Sequence, residues 1–397
     1  MTARDDSTPQ PATHIETVVT HTGRDPFANH GFVNTPVYRG STVLFRTLDA
    51  FESRQQKYVY GRRGSPTSDS LCEAIAALEG GTQTWVMPSG AAAIASVLLA
   101  FTKAGDHVLM VDSVYQPTRK MCEGLLKRFG VETTYYEPLI GADIARLMRP
   151  NTTLVFTESP GSLTFEIQDI AAIAAAAHAK GAVVAIDNTW SGGVYFKAFA
   201  HGVDLSIQAA TKYIVGHADA MLGSVTAADP AIAARLVNET QALGICAGTE
   251  EMYLGLRGLR TIEVRMQRHW QSGVEVARWL EARPEVARVL HPALESHPQH
   301  RLWKRDFTGA SGLFAVELKL CTRTQLAAFL DGLRLFGMGA SWGGFESLII
   351  PFNAAASRTA TAWAPQGPTL RLHIGLEAVP DILADLDAGL ARLKAAG

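Results

Sequence analysis

The most constraining feature of the sequence is the alternation of strand-like and helix-like segments between residues 66 and 228. Short apolar runs, typical of buried strands, are separated by longer segments with apolar residues every three or four positions. This alternation predicts an α/β fold with a mostly parallel sheet and helices on both faces. The predicted strands are 107–111, 131–136, 153–157, 183–186 and 205–210, and the predicted helices are 68–78, 90–103, 117–129 and 168–179.

On either side of this region the chain changes character. Residues 1–65 are rich in Pro, Thr, Gly and Arg and read as an irregular N-terminal arm. Its apolar residues after position 30 favour packing on a neighbouring subunit, and its first dozen residues are predicted to be disordered. The chain is long enough for two domains. We place a ligand-binding domain at 66–259 and a smaller α+β domain at 260–397, which begins with a linking helix at 261–282.

Composition excludes several classes of protein. The formal net charge of −2 argues against a dedicated nucleic-acid binder. The four cysteines include no C-x-x-C pair, which predicts reduced thiols and neither a zinc site nor a disulfide framework. The longest apolar stretch is too short to cross a membrane, and the N-terminus is polar and acidic. A cytoplasmic protein without bound metal is therefore expected.

Four polar residues follow predicted strands: Asp112, Glu158, Asp187 and Lys212. Ligands of parallel sheets bind beyond the carboxyl ends of the strands, where these residues should gather. Burial lowers the pKa of a lysine, as a Schiff-base lysine requires, although Lys212 could instead extend into solvent. Asp187 could hold the nitrogen of a pyridine ring protonated, or it could simply start a turn.

Three further segments could bind anions. Ser89 and Gly90 precede a helix whose first turn lacks bulky side chains, which suits a phosphate but also suits tight packing. Tyr60 and Arg62 could bind a phosphate or lie in a basic surface turn. Arg371, in an alternating strand, could bind a carboxylate or form an interdomain salt bridge. The chain contains neither G-x-x-x-x-G-K-[ST] nor G-x-G-x-x-G, so a dinucleotide binder is not indicated.

Taken together, these motifs resemble the Cys/Met-metabolism family of enzymes that depend on pyridoxal phosphate (PLP), with fold type I, the aspartate aminotransferase-like fold. The resemblance extends from about residue 13 to the C-terminus. GRRG, QAATKY, GHADAM and SWGG-x-ESL favour its β-lyase branch over the γ-lyases and γ-synthases. The other motifs, in chain order, are EGG, SGAAA, GDHVLM, ESPGS, IDNTW, KRDFTG and RLHIGLE.

The resemblance implies a role for each candidate residue. Lys212 would carry PLP as a Schiff base and later act as acid and base, and Asp187 would pair with the pyridinium nitrogen. Tyr115 would stack on the ring and assist deprotonation of the incoming amine. The remaining roles are phosphate binding by Ser89, Gly90, Ala91 and Thr211, joined by Tyr60 and Arg62 of a neighbouring subunit, and substrate binding by Arg371, Ser341, Trp342 and Tyr60.

The activity implied is β-elimination of L-cystathionine to homocysteine, pyruvate and ammonia, a step toward methionine, by a homotetramer built of two dimers. The alternatives are a γ-lyase, a γ-replacing transferase and a non-catalytic protein of the same fold. Two positions depart from the family pattern. Ala209 stands where many relatives carry Ser, and Gln241 stands where close relatives often carry an aromatic residue.

Overall fold

The computed structural model describes residues 14–397, so the disorder predicted for the first dozen residues falls outside its range. The described residues form eleven β-strands and twelve α-helices. The strands are β1 (Gln83–Met87), β2 (His107–Val111), β3 (Glu132–Tyr136), β4 (Thr152–Glu158), β5 (Val183–Asp187), β6 (Leu205–Gln208), β7 (Gly223–Ala227), β8 (Val286–Leu290), β9 (Leu313–Leu318), β10 (Leu348–Phe352) and β11 (Thr369–His373). The helices are α1 (Ile15–His21), α2 (Leu48–Ser53), α3 (Pro66–Glu79), α4 (Gly90–Ala100), α5 (Gln116–Met121), α6 (Ile170–His178), α7 (Pro230–Ala242), α8 (Thr249–Leu259), α9 (Ile262–Glu281), α10 (His300–Asp306), α11 (Arg323–Leu330) and α12 (Val379–Ala395).

The larger sheet has seven strands in the order β1-β7-β6-β5-β4-β2-β3. β7 is antiparallel to both of its neighbours, whereas β6, β5, β4, β2 and β3 pair in parallel. The apolar side chains of β2, β4 and β5 lie in the largest hydrophobic core, since helices cover the sheet and make these strands apolar on both sides. The predicted mostly parallel α/β fold is confirmed.

The smaller sheet has four antiparallel strands in the order β10-β11-β9-β8. A second hydrophobic core lies between this sheet and helices α9, α11 and α12. β11 is an inner strand, paired with β10 on one side and β9 on the other. This arrangement confirms the predicted α+β character of the C-terminal part, while the exact domain limits remain a prediction.

Several secondary-structure elements differ from those predicted from the sequence. β1 and β7 were not predicted because buried hydroxyl side chains shorten or interrupt their apolar patterns. Two of these, Thr84 and Thr226, form a hydrogen bond of 2.8 Å between the strands. The helix predicted at 117–129 is divided into α5 and a π-helical turn, Cys122–Leu126.

The predicted irregular arm is wrong in part, because it contains α1 and α2. α1 is held by tertiary contacts that no local pattern reveals. Its Val19 is buried, and the guanidinium of Arg260 donates to the carbonyls of Val19 and Thr22 at 2.8 and 2.7 Å. The start of the described arm therefore packs on its own chain.

Candidate active site

Lys212 lies in the turn that follows β6, where its amide donates to the carbonyl of Ala209 at 2.9 Å. Its side chain is half-buried, and Nζ donates to Ser341 Oγ at 2.7 Å. Nζ also lies 5.4 Å from the centre of the Trp342 ring. Burial and the positive charge of Arg371 lower the pKa of Lys212 to about 8, although Asp187 opposes the shift. A substantial fraction of this amine is therefore neutral, and nucleophilic, near physiological pH.

Two carboxylates lie beside each other at the same edge of the sheet, because Glu158 ends β4 and is paired in register with Asp187, which ends β5. Burial raises the pKa of Asp187, an effect reduced by the hydrogen bonds of Thr189 and by the charge of Lys212. Burial, together with the charge of Asp187, raises the pKa of Glu158 well above its usual range. Burial therefore disfavours the ionised form of both carboxyls, and a cationic group of a ligand placed beside Asp187 would favour its ionised form.

Thr189 was not identified from the sequence, although it connects two of the candidate residues. Its hydroxyl donates to Asp187 Oδ1 at 2.5 Å and accepts from the amide of Ala209 at 2.8 Å. Its own amide also donates to Asp187 Oδ1, at 3.1 Å. Thr189 thus orients the Asp187 carboxylate relative to the turn that carries Lys212. The only local signal was its position two residues after a strand-terminal acid.

Tyr115 follows β2 and precedes α5. Its amide donates to Glu158 Oε2 at 2.8 Å, which fixes the backbone from which the ring projects, and the residue is 47% exposed. Burial of the phenol and the charges of Asp187 and Glu158 raise the pKa of Tyr115, while Arg371 opposes them. In this arrangement the phenol is protonated at neutral pH.

The first turn of α4 faces the turn that precedes Lys212. The Ser89 hydroxyl caps this helix by accepting from the amide of Ala92 at 3.1 Å. A Cβ at Gly90 would lie 2.6 Å from the Cβ of Ala209, so only glycine allows this close approach. Among residues 14–397, nothing accepts from the amides of Gly90 and Ala91, and Ala91 is exposed. These amides can bind an anion.

Thr211, the fourth residue predicted to bind phosphate, is engaged elsewhere. Its hydroxyl donates to the carbonyl of Leu222 at 3.0 Å and accepts from the amide of Leu222 at 2.8 Å. A contact from its hydroxyl proton to phosphate would therefore require the bond to the Leu222 carbonyl to be released.

Arg371 is buried on β11 and was expected to bind a carboxylate or to form a salt bridge. Its Nη2 donates to the carbonyls of Gly339, Ala340 and Ser341 at 3.3, 3.2 and 2.9 Å. Its buried Nε has no hydrogen-bond partner, and no carboxylate of the described residues lies within salt-bridge distance. Burial lowers the pKa of Arg371 to about 10, against the opposing effect of Tyr115. A buried guanidinium in this state is suited to a planar anion.

Tyr60 and Arg62 form no contact with Lys212 within the chain. Arg62 donates to the carbonyl of Gln241 at 2.9 Å, and its guanidinium lies 5.8 Å from the centre of the Tyr60 ring. Arg62 also lines a separate cavity of about 330 Å³ beside α3 and β1. The structure therefore brings together Lys212, Asp187, Tyr115, Arg371 and the start of α4, but not Tyr60 and Arg62.

Asp112 lies at the expected sheet edge, but its carboxylate is occupied by the chain itself. It accepts from the amides of Thr359, Ala360 and Thr361 and forms a salt bridge with Arg119 at 3.0 Å. Asp112 therefore lies at the edge predicted for it, but it attaches the loop between β10 and β11 to the larger sheet and leaves no free acceptor for a ligand of Lys212.

The chemical groups of this site match those that PLP requires. The group requires an amine for its carbonyl carbon, a carboxylate for its ring nitrogen and donors for its phosphate. Lys212, Asp187 and the amides of Gly90 and Ala91 supply these three needs. In the part of the chain that the structure describes, no cluster of three or more His, Cys, Asp or Glu side chains could hold a metal ion.

A half-buried amine of lowered pKa, near a carboxylate at the edge of a mostly parallel sheet, is the arrangement that an enzyme with a carbonyl cofactor requires. The family described as Cys/Met metabolism PLP-dependent enzyme matches residues 16–391, and the chain belongs to this family. Its cofactor is PLP.

Two relatives and one solved structure illustrate the similarity. A provisionally named cystathionine β-lyase of Rhizobium johnstonii is 54% identical over 96% of this chain and 97% of its own length. The cystathionine β-lyase of Escherichia coli K12 is 44% identical over 96% of this chain and 98% of its own length. The crystal structure of cystathionine γ-synthase from Xanthomonas oryzae pv. oryzae, in complex with aminoacrylate and cysteine, matches with a TM-score of 0.90 at 32% identity, over 98% of this chain and all of that one.

Proposed function

We propose that this protein is a carbon–sulfur lyase that cleaves L-cystathionine by β-elimination, with the net uptake of one water, to L-homocysteine, pyruvate and ammonia. The observation that carries this proposal is the bond from Lys212 Nζ to Ser341 beside a buried Arg371 whose Nε lacks a partner. This geometry sets a base and a carboxylate-binding group a short distance apart, as an amino-acid substrate requires. The names of the β-lyase relatives support the choice of substrate.

When bound, PLP supplies an electron sink that stabilises negative charge at the substrate α-carbon. Arg371 would bind the α-carboxylate and so aim the α-hydrogen at Lys212. Lys212 Nζ, with its pKa lowered to about 8, would accept the α-proton and then donate a proton to the departing sulfur. Asp187, oriented by Thr189, would keep the proton on the pyridine nitrogen. Tyr115 would cover the ring and exclude water from one face.

The phosphate would lie at the first turn of α4, where the amides of Gly90 and Ala91 have no acceptor among residues 14–397, with Ser89 and Thr211 as further ligands. Tyr60 and Arg62 would reach this phosphate, and Tyr60 the substrate, from a neighbouring subunit. Exposed apolar residues of the arm, including Phe27, Phe32 and Leu44, support packing against a second copy. The proposed assembly is a tetramer of two such dimers, and light scattering of the purified protein would measure its mass.

No helix among residues 14–397 is long and apolar enough to cross a membrane. We propose a cytoplasmic location, which suits a small amino-acid substrate and the four free thiols.

Incubation of the PLP-loaded enzyme with L-cystathionine tests the activity, with identification of the oxo acid and the thiol formed. The expected products are pyruvate and homocysteine. Production of 2-oxobutyrate and cysteine would instead identify a γ-lyase, and intact substrate in the presence of bound cofactor would favour a γ-replacing transferase. The matched blank is the Lys212→Ala protein with the same amount of PLP, because free PLP itself promotes slow elimination.

A further inference from the structure

The segment 339–344, which carries Ser341 and Trp342, is held by two side chains of one strand. Arg371 on β11 donates to the carbonyls at the start of this segment. His373, two positions later and therefore on the same face of β11, contacts its end. His373 Nε2 lies 3.1 Å from the amide nitrogen of Gly343 and 3.1 Å from the carbonyl oxygen of Gly344.

The end of the segment that His373 contacts also packs on Lys212. Gly343 has a φ of +82°, and a Cβ at this position would lie 3.0 Å from both the carbonyl carbon and the Cβ of Lys212. The backbone of Gly343 therefore lies directly against that of Lys212. The same segment supplies the Ser341 hydroxyl that accepts from Lys212 Nζ. A displacement of Gly343 would accordingly shift the lysine and loosen its hydrogen bond.

The surroundings of His373 keep its ring neutral. The residue is fully buried, its Nδ1 has no hydrogen-bond partner among the described residues, and its ring centre lies 5.1 Å from that of His269 and 6.1 Å from that of Tyr213. Burial, with smaller contributions from His269, Arg371 and Lys212, holds the pKa of His373 well below its usual range, despite the opposing bond to Gly344. A neutral imidazole can donate or accept at Nε2, depending on its tautomer, so it can serve either group of the segment.

We propose that His373 is a positioning residue for Lys212, acting through the Gly343–Gly344 end of the segment that holds Ser341 against the lysine amine. This inference rests on the proposed function, because it assigns a role within that site. Arg371 already holds the 339–341 end, so loss of His373 releases the end that touches Lys212. Water then reaches Lys212 Nζ. The displacement is expected to impair proton transfer by Lys212 more than binding of the substrate carboxylate by Arg371.

The test compares three variants in the PLP-loaded enzyme. His373→Phe keeps the ring packing on Tyr213 and His269 but removes the polar Nε2. His373→Gln restores a polar atom at the same number of bonds from the backbone. His269→Phe is the matched control, because His269 is equally buried but bonds to the carbonyl of Ile374 at 2.8 Å and not to the segment.

The first readout is the pH midpoint of the visible absorbance of the bound cofactor, which reports the charge on the Lys212 nitrogen. His373→Phe is expected to raise this midpoint by about one pH unit, because hydration favours the charged form. The second readout is steady-state kinetics. The same variant is expected to lower kcat by roughly tenfold to a hundredfold, with KM changed by less than about threefold. His373→Gln should restore most of both properties, and His269→Phe should leave the midpoint at the wild-type value.

Two results would overturn the inference while leaving the proposed function intact: an unchanged midpoint in His373→Phe, or an equal shift in His269→Phe. If His373→Phe does not fold, His373→Asn decides the question, because its shorter amide cannot reach Gly343 and should raise the midpoint. A wild-type protein with no cofactor absorbance would overturn the proposed function, and the role of His373 with it.

Discussion

Two carboxylates end neighbouring parts of the same sheet, yet they differ in what surrounds them. Asp112 accepts from three successive loop amides, from the hydroxyls of Thr359 and Thr361, and from Arg119. Asp187 accepts only from Thr189 among the described residues. Burial by itself would raise the pKa of both, but at Asp112 the hydrogen bonds outweigh it and lower the pKa, whereas at Asp187 they do not and the pKa is raised.

Two half-buried lysines differ in their hydrogen-bond partners in a similar way, although burial lowers the pKa of both. Lys197 donates to the carbonyls of Leu78 and Gly193 at 2.6 and 2.8 Å, and the charge of Glu79 partly offsets the effect of burial on its pKa. Lys212 has the single hydroxyl of Ser341 as its hydrogen-bond partner in the described chain. Buried polar groups that the chain satisfies hold the fold together, whereas those left short of partners are available to a ligand. The comparison therefore separates structural residues from site residues of the same type.

Substitution of the two lysines should have the largest and most distinct effects. Lys212→Ala is expected to lower turnover of L-cystathionine by at least about 10³-fold, because it removes the acid and base together with the attachment point of PLP. The measurements are kcat and the visible absorbance of the bound cofactor. Lys197→Met is the matched control, which should lower the thermal midpoint while keeping that absorbance. Turnover and absorbance surviving in Lys212→Ala would refute the assignment of the site.

Asp187→Asn should give the next largest effect on activity. The amide cannot hold a proton on the pyridine nitrogen, so kcat should fall by about 10²-fold. In the cofactor-free protein the folded-state pKa of Asp187 lies above its unfolded value, so the ionised carboxylate reduces stability at neutral pH and its replacement should not lower the thermal midpoint. Calorimetry of the cofactor-free protein and steady-state kinetics provide the two measurements. A lowered thermal midpoint with normal kcat would show that Asp187 is structural, like Asp112.

Part of this contrast could be predicted from the sequence. Strand-like runs followed by a polar residue are local patterns, and parallel strands bring their carboxyl ends to one edge. These two facts placed Glu158, Asp187 and Lys212 together, as the structure does. The mostly parallel sheet followed from the same alternation, since each buried strand carries an apolar run that is visible in isolation.

The rest depends on contacts between distant segments. Asp112 has the same local pattern as Asp187, but all of its donors except Arg119 come from residues more than 200 positions later in the chain. Thr189 bonds to Asp187 and to the turn before Lys212, and only the packing of β5 beside β6 brings these partners together. A local pattern shows where a polar group emerges from the sheet, but the distant partners decide whether that group remains available.

Asp112→Asn should have the smallest effect on kcat of these substitutions, but it should clearly destabilise the loop between β10 and β11. An amide in place of the carboxylate loses the salt bridge to Arg119 and weakens the bonds from residues 359–361. We expect the local loss to be about 3 kcal/mol, which corresponds to roughly a hundredfold faster hydrogen exchange at the three amides, with kcat reduced by less than about tenfold.

The effect of Asp112→Asn should depend on pH with a defined sign. The pKa of Asp112 is lower in the folded protein than in the unfolded chain, so its contribution is complete above the unfolded value of about 4 and is lost as the pH falls through the folded value. The difference in urea midpoint between wild type and Asp112→Asn should therefore be constant from pH 8 to about 5 and shrink at lower pH. Thr361→Val, which removes one hydroxyl and keeps the carboxylate, should give a smaller difference that also shrinks in acid, because it weakens the same ionised group. A fall in kcat as large as that of Asp187→Asn would show that the two carboxylates share one site, and the distinction between satisfied and available groups would then fail at this edge of the sheet.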